Sequence, residues 1–132
     1  MAALEKGAAK AGRSVSSVDI TNGIPTCISD DLNAARAAAR SNLSFYGGLP
    51  FYNKLFQSSG FVAEAEGLAK GDANAVSDKM AEAISLVGPP ARCREQLAAF
   101  REAGVQLPIL VPVAVGNQTP EQAVQKAIET FA

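Results

Sequence analysis

The stretch Leu86-Val-Gly-Pro-Pro-Ala-Arg-Cys-Arg-Glu-Gln-Leu-Ala-Ala-Phe-Arg-Glu-Ala-Gly-Val-Gln-Leu-Pro-Ile-Leu-Val-Pro112 decides how the chain is read. After its proline-rich turn, Cys93, Leu97 and Phe100 recur at intervals of four and three residues, which places them on one stripe of a helix. Gly104 follows immediately and accepts the left-handed backbone that ends helices. From Leu107 to Val115 the chain is apolar with no polar alternation, as expected of a strand covered on both faces in a parallel sheet. Pro108 and Pro112 confine the hydrogen-bonded centre of that strand. A helix that feeds a buried strand belongs to a crossover unit of an α/β protein, not to a bundle.

Upstream, Val18, Ile20, Ile24 and Ile28 share one parity and predict an extended strand, in which Pro25 implies an edge, a bulge or a break. Ser29-Asp30-Asp31 supplies capping side chains to a helix from about Asp31 to Tyr46, whose apolar stripe is Leu32, Ala35, Ala39 and Leu43. Gly47-Gly48-Leu49-Pro50 ends it, and Pro50 opens a short helix through Phe51, Tyr52, Leu55 and Phe56. Two further helices follow, one over Phe61 to Lys70 despite Gly67 and one carrying Val76, Met80, Ala83 and Ile84. Residues 2 to 11 predict a short helix, or the tail of a longer one, ending at Gly12. At the other end, Thr119-Pro120-Glu121-Gln122 caps a helix with the stripe Val124, Ala127, Ile128 and Phe131. The expected class is α/β, helix-rich, with about two to three strands. Two strands do not make a parallel sheet, so the missing neighbours are expected in another polypeptide or in a region beyond this stretch.

At 132 residues the chain is one domain, and its net charge of -1 comes from 12 basic and 13 acidic side chains without a basic run. Such a surface does not neutralise a row of phosphates or dock on anionic lipid, which argues against nucleic acid and membrane partners. No apolar stretch approaches the roughly 20 residues a bilayer span needs. The N-terminus lacks a basic start and a long apolar stretch, so the expected location is cytoplasmic. Cys27 and Cys93 stand far apart, and there is no His. Zinc-finger spacing, a redox CxxC pair and Ser-His or Cys-His nucleophiles are therefore absent, no metal site is expected, and the two thiols read as reduced and buried.

The quoted stretch resembles the closing part of the luciferase-like flavin- or deazaflavin-dependent oxidoreductases, in which a Val-Gly-x-Pro turn, a helix, an Ala-Gly-Val turn and an apolar strand lead to the last barrel segment. Ile24-Pro-Thr-Cys-Ile-Ser-Asp-Asp, the Ala- and Arg-rich helix after it and Phe45-Tyr-Gly-Gly-Leu-Pro-Phe-Tyr resemble the penultimate strand and its following helices. The resemblance covers most of residues 12 to 115. It implies the C-terminal portion of a (β/α)8 TIM-type barrel, residues 1–132 forming one partial domain, since a complete barrel takes about 250 residues. It further implies hydride transfer or monooxygenation of a small-molecule substrate with FMN or the deazaflavin coenzyme F420, in a complete enzyme. This chain alone is expected to lack a full active site, and no residue stands out as its acid or base.

In such a barrel, function gathers at the C-terminal ends of strands, here Cys27 to Ser29 and Pro112 to Gly116. Ser29 and Asp30 either touch a ligand there or cap the next helix. Tyr46-Gly47-Gly48-Leu49-Pro50-Phe51-Tyr52-Asn53 either lines a flavin edge or an apolar substrate channel, or is a helix-helix turn with its aromatics packed inward. The resemblance favours a pocket, with Ser29, Tyr46, Gly47, Gly48, Pro50 and Tyr52 as cofactor or substrate candidates. Gly88-Pro89-Pro90 lacks the spaced glycines and the Lys of a phosphate loop. Arg36 and Arg40 could hold an anion but read better as a solvated face, as do Glu64 and Glu66. The rival reading is a non-catalytic α/β module that associates with another copy of itself, as a homo-oligomer, or with a partner chain supplying the missing barrel half.

Overall fold

The computed structural model describes residues 2–132. Helix α1 (Ala2–Lys10) and a 3-10 turn (Val15–Ser17) precede strand β1 (Thr21–Ile28). Four helices follow, α2 (Leu32–Gly47), α3 (Pro50–Ser58), α4 (Val62–Ala69) and α5 (Asp78–Ile84). Strand β2 (Leu86–Gly88), helix α6 (Pro90–Glu102), strand β3 (Leu107–Pro112) and helix α7 (Pro120–Phe131) complete the chain. The strands form one parallel sheet in the order β2-β1-β3.

β1 is central although it contains Pro25, and the hydrogen-bond alternation explains why. Leu107 N donates to Ile20 O and Val113 N to Thr26 O, so even-numbered residues of β1 bond to β3 and odd-numbered ones face β2. The nitrogen of Pro25 therefore faces the β2 side, at a level where β2 has not begun, because the first pair is Thr26 with Leu86. The same alternation turns Pro108 and Pro112 of β3 to the unpaired outer edge. All three prolines sit where no ladder donor is required.

The two faces of the sheet carry separate cores. On one, Cys27 and Val87 pack beneath α2 to α5 with Ala35, Ala39, Leu43, Met80 and Ala81. On the other, Ile24, Ile28 and Leu86 meet Cys93 and Leu97 of α6 and Ala127 of α7. Helices on opposite faces follow from the strand order, because right-handed crossovers that run first one way and then back across β1 must use opposite sides. Consecutive order would have paired β3 with β2, but β1 offers β3 six register pairs, whereas β2 is three residues long.

Several expectations are corrected. β1 starts at Thr21, after the 3-10 turn, and Val18 and Ile20 lie outside it. The lead-in Leu86 to Gly88 is itself a strand, wholly buried. β3 ends at Pro112 and is not covered on both faces: Leu107, Ile109 and Val111 are 55%, 52% and 43% exposed, because among the described residues the helix packed closely on β3 is α7, which leaves that row open. Helix α7 rests on the sheet through Ala123, Ala127 and Thr130, which leaves Val124 and Ile128 exposed and Phe131 half-buried. Arg36 and Arg40 are not a free solvated pair, since Arg36 joins Glu82 at 2.6 Å and Arg40 pairs with Asp78, tying α2 to α5. Glu64 accepts a hydrogen bond from the α5 capping residue Ser77, and Glu66 is exposed as expected.

The α2–α3–α4 corner is held by Asn53, whose Nδ2 donates to Gly47 O and Ala65 O while its Oδ1 accepts from Gln57. Gly47 is required at this corner, because a Cβ there would stand 2.3 Å from Leu68 Cδ1, whereas nothing lies within 4 Å of a Cβ at Gly48. We expect Gly47→Ala to destabilise the fold by about 1–3 kcal/mol through overpacking and Gly48→Ala to leave it nearly unchanged, as read by urea denaturation.

Candidate functional site

Two regions answer to the expected site residues, and they lie at opposite ends of the sheet. The first is the rim formed by the C-terminal ends of the parallel strands. Ser29 stands there, its N–H donating to Gly88 O at 3.0 Å and its Oγ accepting from Asp31 N–H at 3.2 Å. Asp31 in turn caps α2 by accepting from Ala34 N–H. Gln118 closes the rim: its Nε2 donates to Ile28 O at 3.1 Å and its Oε1 accepts from Val115 N–H at 3.0 Å. Arg92 donates to Val87 O and to Glu82, which also holds Arg36. These polar atoms find their partners within the chain, and Asp30 is an exposed neighbour.

The second region is a cavity of about 410 Å³ beside the N-terminal half of β1. Gly23, Pro25 and Val111 form its floor on the sheet. Tyr46, Tyr52 and Phe56 form its wall, and Phe100 of α6 reaches it from the end of that helix. The Tyr46 and Tyr52 rings are 4.9 Å apart at 42°, and Phe45 and Phe51 meet them edge-on from the solvent side. Asn42, one helical turn before Tyr46, lines the cavity, and its Oδ1 is buried with no hydrogen-bond partner.

The six expected pocket residues are therefore not brought together. Ser29 is on the rim, and Tyr46 and Tyr52 line the cavity. Gly47 is packed under Leu68, and Gly48 and Pro50 are exposed on the turn. The residue reading passed over Asn42 and Gln118. Asn42 carries a signal, an amide inside an otherwise Ala-rich helix where Asn is a weak helix former. Gln118 carries none, because its partners are 90 and 3 residues away.

A luciferase-like monooxygenase model matches residues 1–107. The chain belongs to that family. None of the curated proteins matches it. Among solved structures, this luciferase-like chain is similar to the coenzyme F420-dependent tetrahydromethanopterin reductase from Methanopyrus kandleri, at 27% identity and a TM-score of 0.60. The likeness covers 96% of this chain and 37% of that one, so the chain spans little more than a third of the neighbour's length. Among the described residues, three parallel strands and seven α-helices make a mixed α/β arrangement matching part of the barrel-like family fold. No helix among the described residues is long and apolar enough to cross a membrane, and no group of three or more His, Cys, Asp or Glu among them could hold a metal.

The two thiols of this luciferase-like chain are buried and unpaired. Burial pushes Cys27 up to about 12, helped by the neighbouring Cys93. Cys93 is pushed up to about 11 by burial, against the pull of the Arg92 and Arg94 charges. Neither is a nucleophile near neutral pH, because the thiolate is the reactive form. Once unfolded, both ionise near the ordinary value of 9.0. Their contribution is thus fully present below that value and is lost as pH rises towards about 11 to 12. We expect a disulfide reagent to leave the native thiols unlabelled at about pH 8 and to label both in urea, with the urea midpoint falling at about pH 10. Rapid labelling of the native chain would contradict this.

Proposed function

We propose that the chain is the C-terminal part of a luciferase-like oxidoreductase acting on a small-molecule substrate in the cytoplasm, and that alone it is inactive. Reduced FMN or coenzyme F420 would supply the hydride or the oxygen-activating electrons. The observation that carries the reading is the family match over residues 1–107, joined to the likeness to an F420-dependent reductase over 96% of the chain.

Active sites of barrel enzymes lie at the C-terminal ends of the strands, which makes the rim with Ser29 this chain's contribution. The rim residues present do not fit a complete cofactor site. Ser29, Arg92 and Gln118 are engaged by Gly88, Asp31, Val87, Glu82, Ile28 and Val115 of the same chain, which does not amount to a set of groups converging on a tricyclic ring. The Gly88 position offers no free cradle either, since Arg92 and Leu32 already lie 2.9 and 3.2 Å from where its Cβ would stand. The remaining contacts belong to the part of the family fold that this chain does not span.

The native product can be captured from source cells with an antibody against the Gly88 to Arg101 region, weighed intact and assayed for released fluorescent cofactor. A product well above 13.6 kDa carrying a flavin or deazaflavin is expected. A 13.6 kDa product carrying neither would overturn the reading.

A second reading is favoured by one observation, the exposed row Leu107, Ile109 and Val111 on β3. A chain that functions at this length would cover that row with a second copy, face to face. Edge pairing is poorly served, because Pro108 and Pro112 leave only Leu110 as a donor on the outer edge of β3. Sedimentation would then show a dimer that Ile109→Lys dissociates, whereas a monomer at every concentration sinks this alternative.

A further inference from the structure

We propose that Gln118 is a removable wedge in the β1–β3 ladder, and that its withdrawal lets the ladder close by one more bond and narrows the C-terminal rim beside Ser29. The register shows where the wedge sits. Each of these β3-side donors meets the carbonyl 87 positions before it, Leu107 that of Ile20 at 3.1 Å and, just past the end of the strand, Val113 that of Thr26 at 2.9 Å. The next step is Val115 N–H on Ile28 O. Those two groups instead hold the two ends of one side-chain carboxamide: Val115 N–H donates to Gln118 Oε1 at 3.0 Å, and Gln118 Nε2 donates to Ile28 O at 3.1 Å.

A carboxamide carries the acceptor and donor of a peptide group, so it enters between a backbone N–H and a backbone C=O without leaving either unmet. Val113 and Val115 both turn into the core beneath α2 to α5, on the side where Cys27 of β1 points. The pleat therefore persists beyond Pro112, and only the bond is intercepted. Gly116, at φ +59°, turns the chain back, and Gln118 N–H donates to Val115 O at 3.1 Å, so rotation of the side chain alone frees the slot while the turn is kept. Ile28 and Val115 are each 3% exposed, so once the carboxamide leaves, their facing groups have little water to turn to and meet one another. Withdrawal trades two bonds to a side chain for one direct bond and returns the rotamer freedom of Gln118. The inference rests on these bonds and not on the cofactor reading.

The test is NMR spectroscopy of the 132-residue chain, reading scalar couplings transmitted through hydrogen bonds. The native chain is expected to show a coupling from Val113 N to the Thr26 carbonyl carbon and none from Val115 N to that of Ile28. In Gln118→Leu, which offers neither donor nor acceptor, the Val115 to Ile28 coupling should appear, comparable to that between Val113 and Thr26. Gln118→Glu should behave alike at about pH 7, because its carboxylate has no proton to donate to Ile28 O. Relaxation dispersion of the native chain should report, at Val115 and Ser29, a minor state with the amide shifts of Gln118→Leu. A residue that merely pins the turn gives a different result: in folded Gln118→Leu the Val115 amide exchanges freely with solvent and no coupling to Ile28 forms. The proposal fails on that result, on a Val115 to Ile28 coupling in the native chain, on flat dispersion at both positions, or if neither variant folds.

Discussion

The architecture hangs on the double hydrogen-bonded role of β1. Among the described residues it is the only strand with a partner on each edge, and the other elements are placed by their position relative to that ladder. A central strand containing proline is ordinarily a contradiction, because a missing donor breaks the ladder. Here the alternation of bonding direction along the strand removes it. Pro25 turns its nitrogen towards a stretch of edge that β2 does not reach, and the two prolines of β3 turn theirs to the outside. The same geometry blunts the outer edge of β3 against strand addition, which leaves its exposed face as its reactive surface.

Layering follows from that ladder. Fully buried Ala35 and Ala39 let α2 lie close on the sheet, and Glu82, holding both Arg36 and Arg92, links α2, α5 and the start of α6 across its C-terminal end. Because these pairs are only partly buried, their contribution to stability is modest, and what they chiefly do is hold register between elements. The result is two ends of unlike character. At the C-terminal rim Ser29, Gln118 and Arg92 each bond to groups of the chain itself. At the other end lies a cavity walled by Tyr46, Tyr52 and Phe56.

Family membership and local geometry meet at the strand order. The chain covers 37% of the reductase it is similar to, and with no other strand among the described residues β3 takes the longer free edge of β1 in preference to the three residues of β2. Six pairs outweigh three, and the right-handed crossover rule then sends α6 to the opposite face from α2. The face of β1 bearing Ile24 and Ile28 is thereby covered by α6 and α7.

Much of this was written in local residue patterns. The caps of α2 and α7, the proline starts of α3 and α6 and the apolar stripe Ala35, Ala39 and Leu43 report nearest-neighbour chemistry, and they appear in the structure as read. The family, too, was legible, because the motifs around Ile24 to Tyr52 and Leu86 to Pro112 keep their order and spacing. Three matters depended on contacts between residues distant in sequence, and only the tertiary structure settled them. A three-residue strand at Leu86 to Gly88 is too short to show a period and exists because β1 lies beside it. The exposure of Leu107, Ile109 and Val111 reflects which elements pack on β3, a fact absent from the segment's own hydrophobicity. The separation of Ser29 from Tyr46 and Tyr52 arises because α2 runs from the rim to the opposite end of the sheet. Local pattern specifies what each segment becomes, whereas the site depends on where the sheet sets those segments down.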